Sequence, residues 1–170
     1  MKNKSTIYAI IAVVFVGVLI FIASDGRQPD KNGIVSVASA SALSVVDNKF
    51  DFGTIAMKDG KVTHDFEVKN TGSEPIVINK VYTSCGCTEA SASDAQGNKY
   101  GTFGMQGHRG LVLNTNIEVK PGESATVTGI FDPAAHGPQG TGLARRMIYL
   151  ETNSKETPKV QLDFSANVIN

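Results

Sequence analysis

The chain has 170 residues, with 16 basic and 16 acidic side chains and a formal net charge of zero. This length allows one domain of ordinary size with an extension. Because no global charge draws the chain toward phosphates, the composition argues against a nucleic-acid partner, and none is predicted.

An apolar run from residue 7 to residue 23 comes first in the chain. With the small residues at its ends it supplies the roughly 20 residues that a helix needs to cross a bilayer, so residues 7–24 are predicted to be an uncleaved single-pass transmembrane anchor. Lys2 and Lys4 precede the run, which predicts a cytoplasmic tip at residues 1–6. The rest of the chain is then expected outside the cytoplasm, on the periplasmic side, with the membrane as its first partner.

Residues 25–42 lack periodicity and are predicted to form a flexible tether. Residues 43–170 consist of short alternating or apolar runs between turn residues, a pattern typical of strands. The clearest strands are predicted at residues 61–69 and 160–168, where side chains alternate with period two. Further strands are predicted at residues 50–55, 75–82, 125–131 and 147–150. Seven or so strands over this length predict an all-β fold, an antiparallel β-sandwich.

A Gly-rich segment at residues 89–116 interrupts the even spacing of the strands and is predicted to be a long loop, with a return strand at residues 110–114. Loops of this length are usually functional or disordered. Met105, His108 and Arg109 lie in it and are the predicted contact residues for a partner, expected to be another envelope protein.

Cys85 and Cys87 are the only cysteines and stand one glycine apart, directly after a predicted strand. In an oxidising compartment the pair could form a disulfide, because Gly86 lets the backbone bend toward the required geometry. The small ring would be strained and easily reduced. A catalytic thiol needs a neighbouring cation or helix N-terminus, however, and the sequence places neither next to this motif.

Two other interpretations of the cysteine pair stay open. Two thiolates could bind Cu(I) or form half of a zinc site, although the spacing is not a common zinc pattern and methionine would favour copper. The predicted metal ligands are Cys85, Cys87, Met105 and His108, with His64 and His136 as further donors. Alternatively, the thiols are structural and pack against the end of the sandwich. No cofactor is predicted, and Cu(I) is the metal that these donors would suit best.

Arg145 and Arg146 enter the strand predicted at residues 147–150. Alternation along a strand points one guanidinium to each face. The two are therefore interpreted as charges at the end of a sheet, not as a paired anion clamp.

Five motifs occur in the order seen in the DUF1573 family, which the chain resembles over about residues 45–168. They are Phe50-Asp51-Phe52-Gly53-Thr54-Ile55, His64-x-Phe66-x-Val68-Lys69-Asn70-Thr71-Gly72, Ser84-Cys85-Gly86-Cys87-Thr88, Pro121-Gly122-Glu123 and Phe131-Asp132. The resemblance implies an immunoglobulin-like sandwich in a bacterial, envelope-anchored protein without an established catalytic activity. The connection between Thr88 and Pro121 is longer than the family usually has.

These observations predict a membrane-anchored extracytoplasmic domain with a binding or scaffold function, and not an enzyme, since no nucleophile elbow or phosphate-cradling glycine loop is present. The first alternative is copper handling through Cys85 and Cys87. The second is a thiol–disulfide redox function of the same pair.

Overall fold

The computed structural model describes residues 38–107 and 114–170, which belong to one compact unit. The strands are β1 (Leu43–Val45), β2 (Lys49–Ala56), β3 (Val62–Asn70), β4 (Ile76–Thr83), β5 (Thr88–Ser93), β6 (Lys99–Phe103), β7 (Ile117–Val119), β8 (Ser124–Phe131), β9 (Gly142–Thr152) and β10 (Lys159–Ile169), and two short 3-10 helices span Met57–Asp59 and Gly137–Gly140. Within these described ranges no helix is long and apolar enough to span a membrane. The predicted cytoplasmic tip and transmembrane helix, residues 1–24, lie outside the described residues.

The strands form two five-stranded sheets around a shared core. Sheet A has the order β1-β3-β8-β5-β6, and sheet B has the order β2-β10-β9-β4-β7. One core cluster contains Phe66 and Val127 from sheet A together with Ile148 and Leu162 from sheet B, all essentially unexposed. The alternating patterns predict this burial because successive side chains of a strand point to opposite faces. The predicted all-β sandwich is confirmed.

One strand pair departs from the predicted antiparallel arrangement. β2 and β10 run parallel, with Phe50 opposite Phe164. The two strands come from opposite ends of the domain sequence, so no hairpin turn forces them to be antiparallel. The prediction of a fully antiparallel sandwich was wrong at this pair.

The segment predicted to be a loop at residues 89–116 contains two strands. β5 pairs with β8 on one side and with β6 on the other. The side chains of Ala90 and Ala92 in β5 are buried in the core. The loop prediction was therefore wrong for much of the segment, because the small side chains of β5 carry a weak strand signal. Residues 110–113 of the predicted return strand lie outside the described ranges.

Residues 38–42, which were assigned to the tether, make ordered contacts with the domain. Ser39 forms a β-bridge with Ser154, and Ser39 and Ser41 are only 2% and 4% exposed. The Ser41 hydroxyl accepts a hydrogen bond from the backbone N–H of Glu74 at 2.7 Å. Among the described residues, order thus begins before the predicted domain boundary.

Two connections between the sheets meet at one end of the sandwich. Residues 84–87 join β4 of sheet B to β5 of sheet A, and residues 132–141 join β8 of sheet A to β9 of sheet B. Thr88 lies opposite Phe131, so the start of β5 is beside the end of β8. We call this the thiol end, because the first connection contains both cysteines.

Candidate thiol site

A tight turn holds the two cysteines between the sheets. The backbone N–H of Thr88 donates to the carbonyl of Cys85 at 3.1 Å, and the Thr83 hydroxyl donates to the carbonyl of Thr88 at 2.9 Å. The backbone N–H of Asp132 donates to the carbonyl of Cys87 at 3.0 Å, which ties the turn to the second connection. The position of the thiols is therefore set by both sheets.

The two cysteines are free thiols with different exposure. Cys87 is buried, with 3% of its surface exposed, whereas Cys85 is half-buried. The Cys87 thiol donates to the Cys85 sulfur at a distance of 2.7 Å, and the Cys87 backbone N–H lies 3.5 Å from the same sulfur. Cys85 is therefore the more accessible of the two residues, and the thiol of the buried Cys87 donates a hydrogen bond to its sulfur.

Arg146 supplies the cation that the sequence did not place near the motif. Its Nε donates to the Cys87 sulfur at 2.9 Å, and its guanidinium lies 5.5 Å from the centre of the Phe131 ring. Arg145 is exposed on the opposite face, as predicted from the alternation. The interpretation of Arg146 as a sheet-end charge missed this contact, which joins residues 59 positions apart in sequence.

The alternation of buried and exposed residues along β9 is the sequence signal that could have indicated a buried partner for Arg146. Ala144, Ile148 and Leu150 are buried, so the even-numbered side chains of this strand face the core. A cation on the inward face of a strand needs a partner, because burying an unpaired charge is costly. Alternation had placed the guanidinium groups of Arg145 and Arg146 on opposite faces, but the inward one was interpreted as a sheet-end charge and was given no partner.

His136 completes the cluster from the connection between β8 and β9. Its Nε2 lies 3.5 Å from the Cys85 sulfur, and the side chain is exposed. The two sulfurs and a ring nitrogen of His136 all lie within 4.8 Å of one another. Among the donors named from the sequence, the structure thus brings His136 to the cysteines.

The environment lowers the pKa of one thiol and raises that of the other. Burial tends to raise the pKa of Cys85, but hydrogen bonds from Cys87 and His136 and the charge of Arg146 outweigh it and lower the pKa to about 7. Burial, followed by the hydrogen bond to Cys85, raises the pKa of Cys87 against the opposing effect of Arg146. Of the two thiols, Cys85 is therefore the one that ionises more readily.

The other predicted site residues do not join the cluster. The backbone of Met105 forms a bridge with Thr83, so it lies beside the end of β4, but no contact of its side chain with a thiol is observed. His64 stacks on Phe50 with ring centroids 3.6 Å apart. His108 and Arg109 lie outside the described residues.

A cleft of about 440 Å³ opens beside the cluster. One wall is the connection that carries His136, Gln139 and Thr141, and the other is the first part of β9, with Leu143 and Arg146. The described lining residues include no carboxylate. The cleft therefore presents polar groups and the guanidinium of Arg146.

Fold and site together define a β-sandwich domain with a cysteine pair at one end. The family model DUF1573, described as a protein of unknown function, matches residues 43–102. This confirms the family resemblance over that range, which includes both cysteines but neither His136 nor Arg146. No curated protein matches the chain.

Solved structures share the fold at low sequence identity. A protein of unknown function from Porphyromonas gingivalis W83 matches with a TM-score of 0.55 and 16% identity, over 79% of this chain and 50% of that one. A family 123 glycoside hydrolase from Clostridium perfringens matches with a TM-score of 0.50 and 8% identity, over 78% of this chain and 27% of that one. The chain thus spans half or less of these structures, and the likeness concerns the fold alone.

Proposed function

We propose that the protein carries out thiol–disulfide exchange, with Cys85 as the reacting sulfur and Cys87 as the resolving sulfur. The observation that carries this proposal is the hydrogen-bonded chain from Arg146 through the buried Cys87 to the accessible Cys85. Structural cysteines are usually inert because they are buried among apolar groups, which raises the thiol pKa. Here the accessible thiol has a pKa lowered to about 7.

The arrangement assigns a role to each group in the exchange. The Cys85 thiolate attacks one sulfur of a substrate disulfide, and the other substrate sulfur leaves as a thiolate that takes a proton from water. Cys87 then loses its proton and attacks the Cys85 sulfur, which forms the Cys85–Cys87 bridge and releases the second substrate thiol. Two electrons pass from the protein to the substrate, and the reverse sequence oxidises a substrate dithiol. Arg146 stabilises negative charge on Cys87 when it attacks or leaves.

This proposal is tested by trapping the intermediate with oxidised glutathione. In the purified full-length chain, Cys87→Ser removes the resolving sulfur, so a stable mixed disulfide between glutathione and Cys85 should accumulate at neutral pH. Cys85→Ser is the matched control and should react far more slowly, because Cys87 is buried. If both variants react at the same slow rate as a free cysteine, Cys85 is not an activated thiol and the proposal fails.

Copper binding is the second candidate function, supported by the three soft donors of Cys85, Cys87 and His136 within 4.8 Å. Two thiolates and an imidazole suit Cu(I) in a trigonal site. The guanidinium of Arg146 beside Cys87 opposes a cation at this position. Copper binding by these donors predicts that His136→Ala weakens Cu(I) binding to the full-length chain, measured by competition with a Cu(I) chelator. An unchanged affinity would exclude His136 as a ligand.

We also propose the cellular location predicted from the sequence, in which residues 7–24 anchor an immunoglobulin-like domain on the periplasmic side of the cell membrane. An oxidising compartment suits disulfide exchange, and the apolar run supports this location. Protease added to spheroplasts should then digest the domain while the membrane is intact. Protection until the membrane is opened would place the domain in the cytoplasm. The binding or scaffold role stays a prediction for the same domain.

A further inference from the structure

The cleft beside Cys85 is bordered by a strand edge that lacks a neighbour. β10 pairs with β9 from Gly142 to Glu151, whereas β4 pairs with β9 only from Ile148 to Thr152. The cysteine turn carries the chain away from sheet B after Ser84. Within the described ranges, the first part of β9 therefore has a partner strand on one side only.

Backbone groups of this edge point away from β10, toward the side that β4 occupies further along β9. The carbonyl of Met147 accepts from Ser84 N–H at 2.9 Å, and its N–H donates to the Ser84 hydroxyl at 3.0 Å, so both groups point away from β10. Hydrogen-bonding direction alternates along a strand, and the N–H and carbonyl of Leu143 and the N–H of Arg145 consequently point the same way. The carbonyl of Arg145 accepts from Arg146 Nη1 at 2.8 Å. The edge thus offers a short row of groups to an extended chain.

We infer that the edge at residues 142–146 binds an extended cysteine-containing segment of a substrate polypeptide and presents its sulfur to Cys85. This inference rests on the proposed exchange function and names its substrate class. An added strand would lie beside β9 in the position that β4 no longer occupies beyond Ser84. Main-chain hydrogen bonds of this kind give affinity with little dependence on sequence. The cleft lies between this edge and His136, which contacts the Cys85 sulfur.

Two further observations concern the kind of substrate: the first favours a polypeptide over a small disulfide, and the second concerns its charge. Leu143 is 66% exposed, and its apolar side chain offers a contact to a side chain of the added strand. The cleft is lined by His136 and Arg146 with no carboxylate among its described residues, so segments that lack Lys and Arg near the cysteine suit it best.

The exchange at this edge proceeds by two successive displacements at sulfur. The substrate cysteine is present as a disulfide, the Cys85 thiolate attacks its sulfur, and the bond between that sulfur and its former partner breaks. The partner sulfur leaves as a thiolate and takes a proton from water. The segment is then bound covalently to Cys85 until Cys87 displaces it as a thiol.

The test compares two probes with the same reactive bond on the full-length chain. One is a peptide of about ten residues whose central cysteine forms a mixed disulfide with thionitrobenzoate, and the other is the same mixed disulfide of N-acetylcysteine amide. Release of coloured thionitrobenzoate should be about tenfold or more faster for the peptide, since one or two main-chain hydrogen bonds contribute that much. Leu143→Pro removes the N–H of the edge without breaking a bond to β10 and should abolish this preference.

Leu143→Ala is the matched control, because it shortens the side chain and keeps the backbone N–H. It should retain most of the preference for the peptide, and both variants should react normally with the N-acetylcysteine probe. Equal rates of the two probes with the unmodified chain would overturn the inference and leave the exchange function standing. A chain that reacts with neither probe faster than a free cysteine would overturn the exchange function itself.

Discussion

At the scale of single residues, the site depends on an asymmetry between two cysteines that are chemically identical in the sequence. Cys85 is reachable and has its pKa lowered to about 7, whereas Cys87 is buried and has its pKa raised. Arg146 contacts only the buried sulfur, and its charge acts on both. This asymmetry is what the proposed exchange requires, with Cys85 as the attacking sulfur and Cys87 as the resolving one.

The first prediction concerns the pH dependence of alkylation. Only the thiolate reacts with iodoacetamide, so the rate at Cys85 should rise with pH and reach half its maximum near pH 7, the value to which the pKa is lowered. Rates are measured on the reduced protein by mass spectrometry of the peptide that contains the modified residue. A midpoint near that of an ordinary thiol, about 8.5, would contradict the account.

The second prediction removes the guanidinium. Arg146→Met keeps an unbranched side chain that packs against Phe131 but removes the charge that lowers the pKa of both thiols. The alkylation midpoint of Cys85 should move to higher pH, and its rate at pH 7 should fall by about two- to fivefold. Arg145→Met is the matched control, because Arg145 is exposed on the other face. If both variants slow alkylation equally, the effect comes from net charge and not from the contact.

At the scale of elements, alternating strands were predictable and small-residue strands were not. β3, β8 and β10 show period two over their length, and that pattern alone locates them within about one residue. β5 was missed because Ala90 and Ala92 fit a crowded site but give little strand signal, and their pairing with β8 is a tertiary event. The turn that holds Cys85 was predictable from Gly86.

The third prediction tests whether residues 38–42 belong to the folded domain. A Cβ at Gly72 would lie 2.7 Å from the Cα of Ser41, so Gly72→Ala must displace this segment. Such overpacking costs about 1–3 kcal/mol, and the melting temperature should fall. Thermal unfolding and limited proteolysis measure the effect. Ser73→Ala, at the exposed neighbouring position, is the control. Unchanged stability of Gly72→Ala would show that the segment contributes nothing to the fold.

At the scale of the whole molecule, the sandwich separates the thiol site from the N-terminal contacts. Ser39 pairs with Ser154, which follows the end of β9, whereas Cys87 is bound by Arg146 near the beginning of the same strand. The two groups therefore lie at opposite ends of the sandwich. This separation is compatible with the proposed exchange, because the contacts of residues 38–42 with the domain do not involve the thiol end.

The same scale explains how far the site could be predicted. The cysteine pair is visible because it is local, and His136 was named among several donors because nothing local distinguishes one histidine from another. Its selection depends on the meeting of two connections between the sheets, and the contact between Arg146 and Cys87 depends on the register of β9. The spacing of nearby residues indicates neither the selection of His136 nor the contact between Arg146 and Cys87, so neither was predicted.

The most direct measurement of the central claim is a redox titration of the purified, metal-free full-length chain in glutathione buffers of graded ratio. Intact mass after alkylation reports the state of Cys85 and Cys87 at each ratio. We predict that both thiols disappear together, with a loss of about 2 Da that a more reducing buffer restores, as expected for a two-electron couple. Thiols that stay reduced at every ratio, or that acquire glutathione separately without forming an internal bridge, would contradict the account.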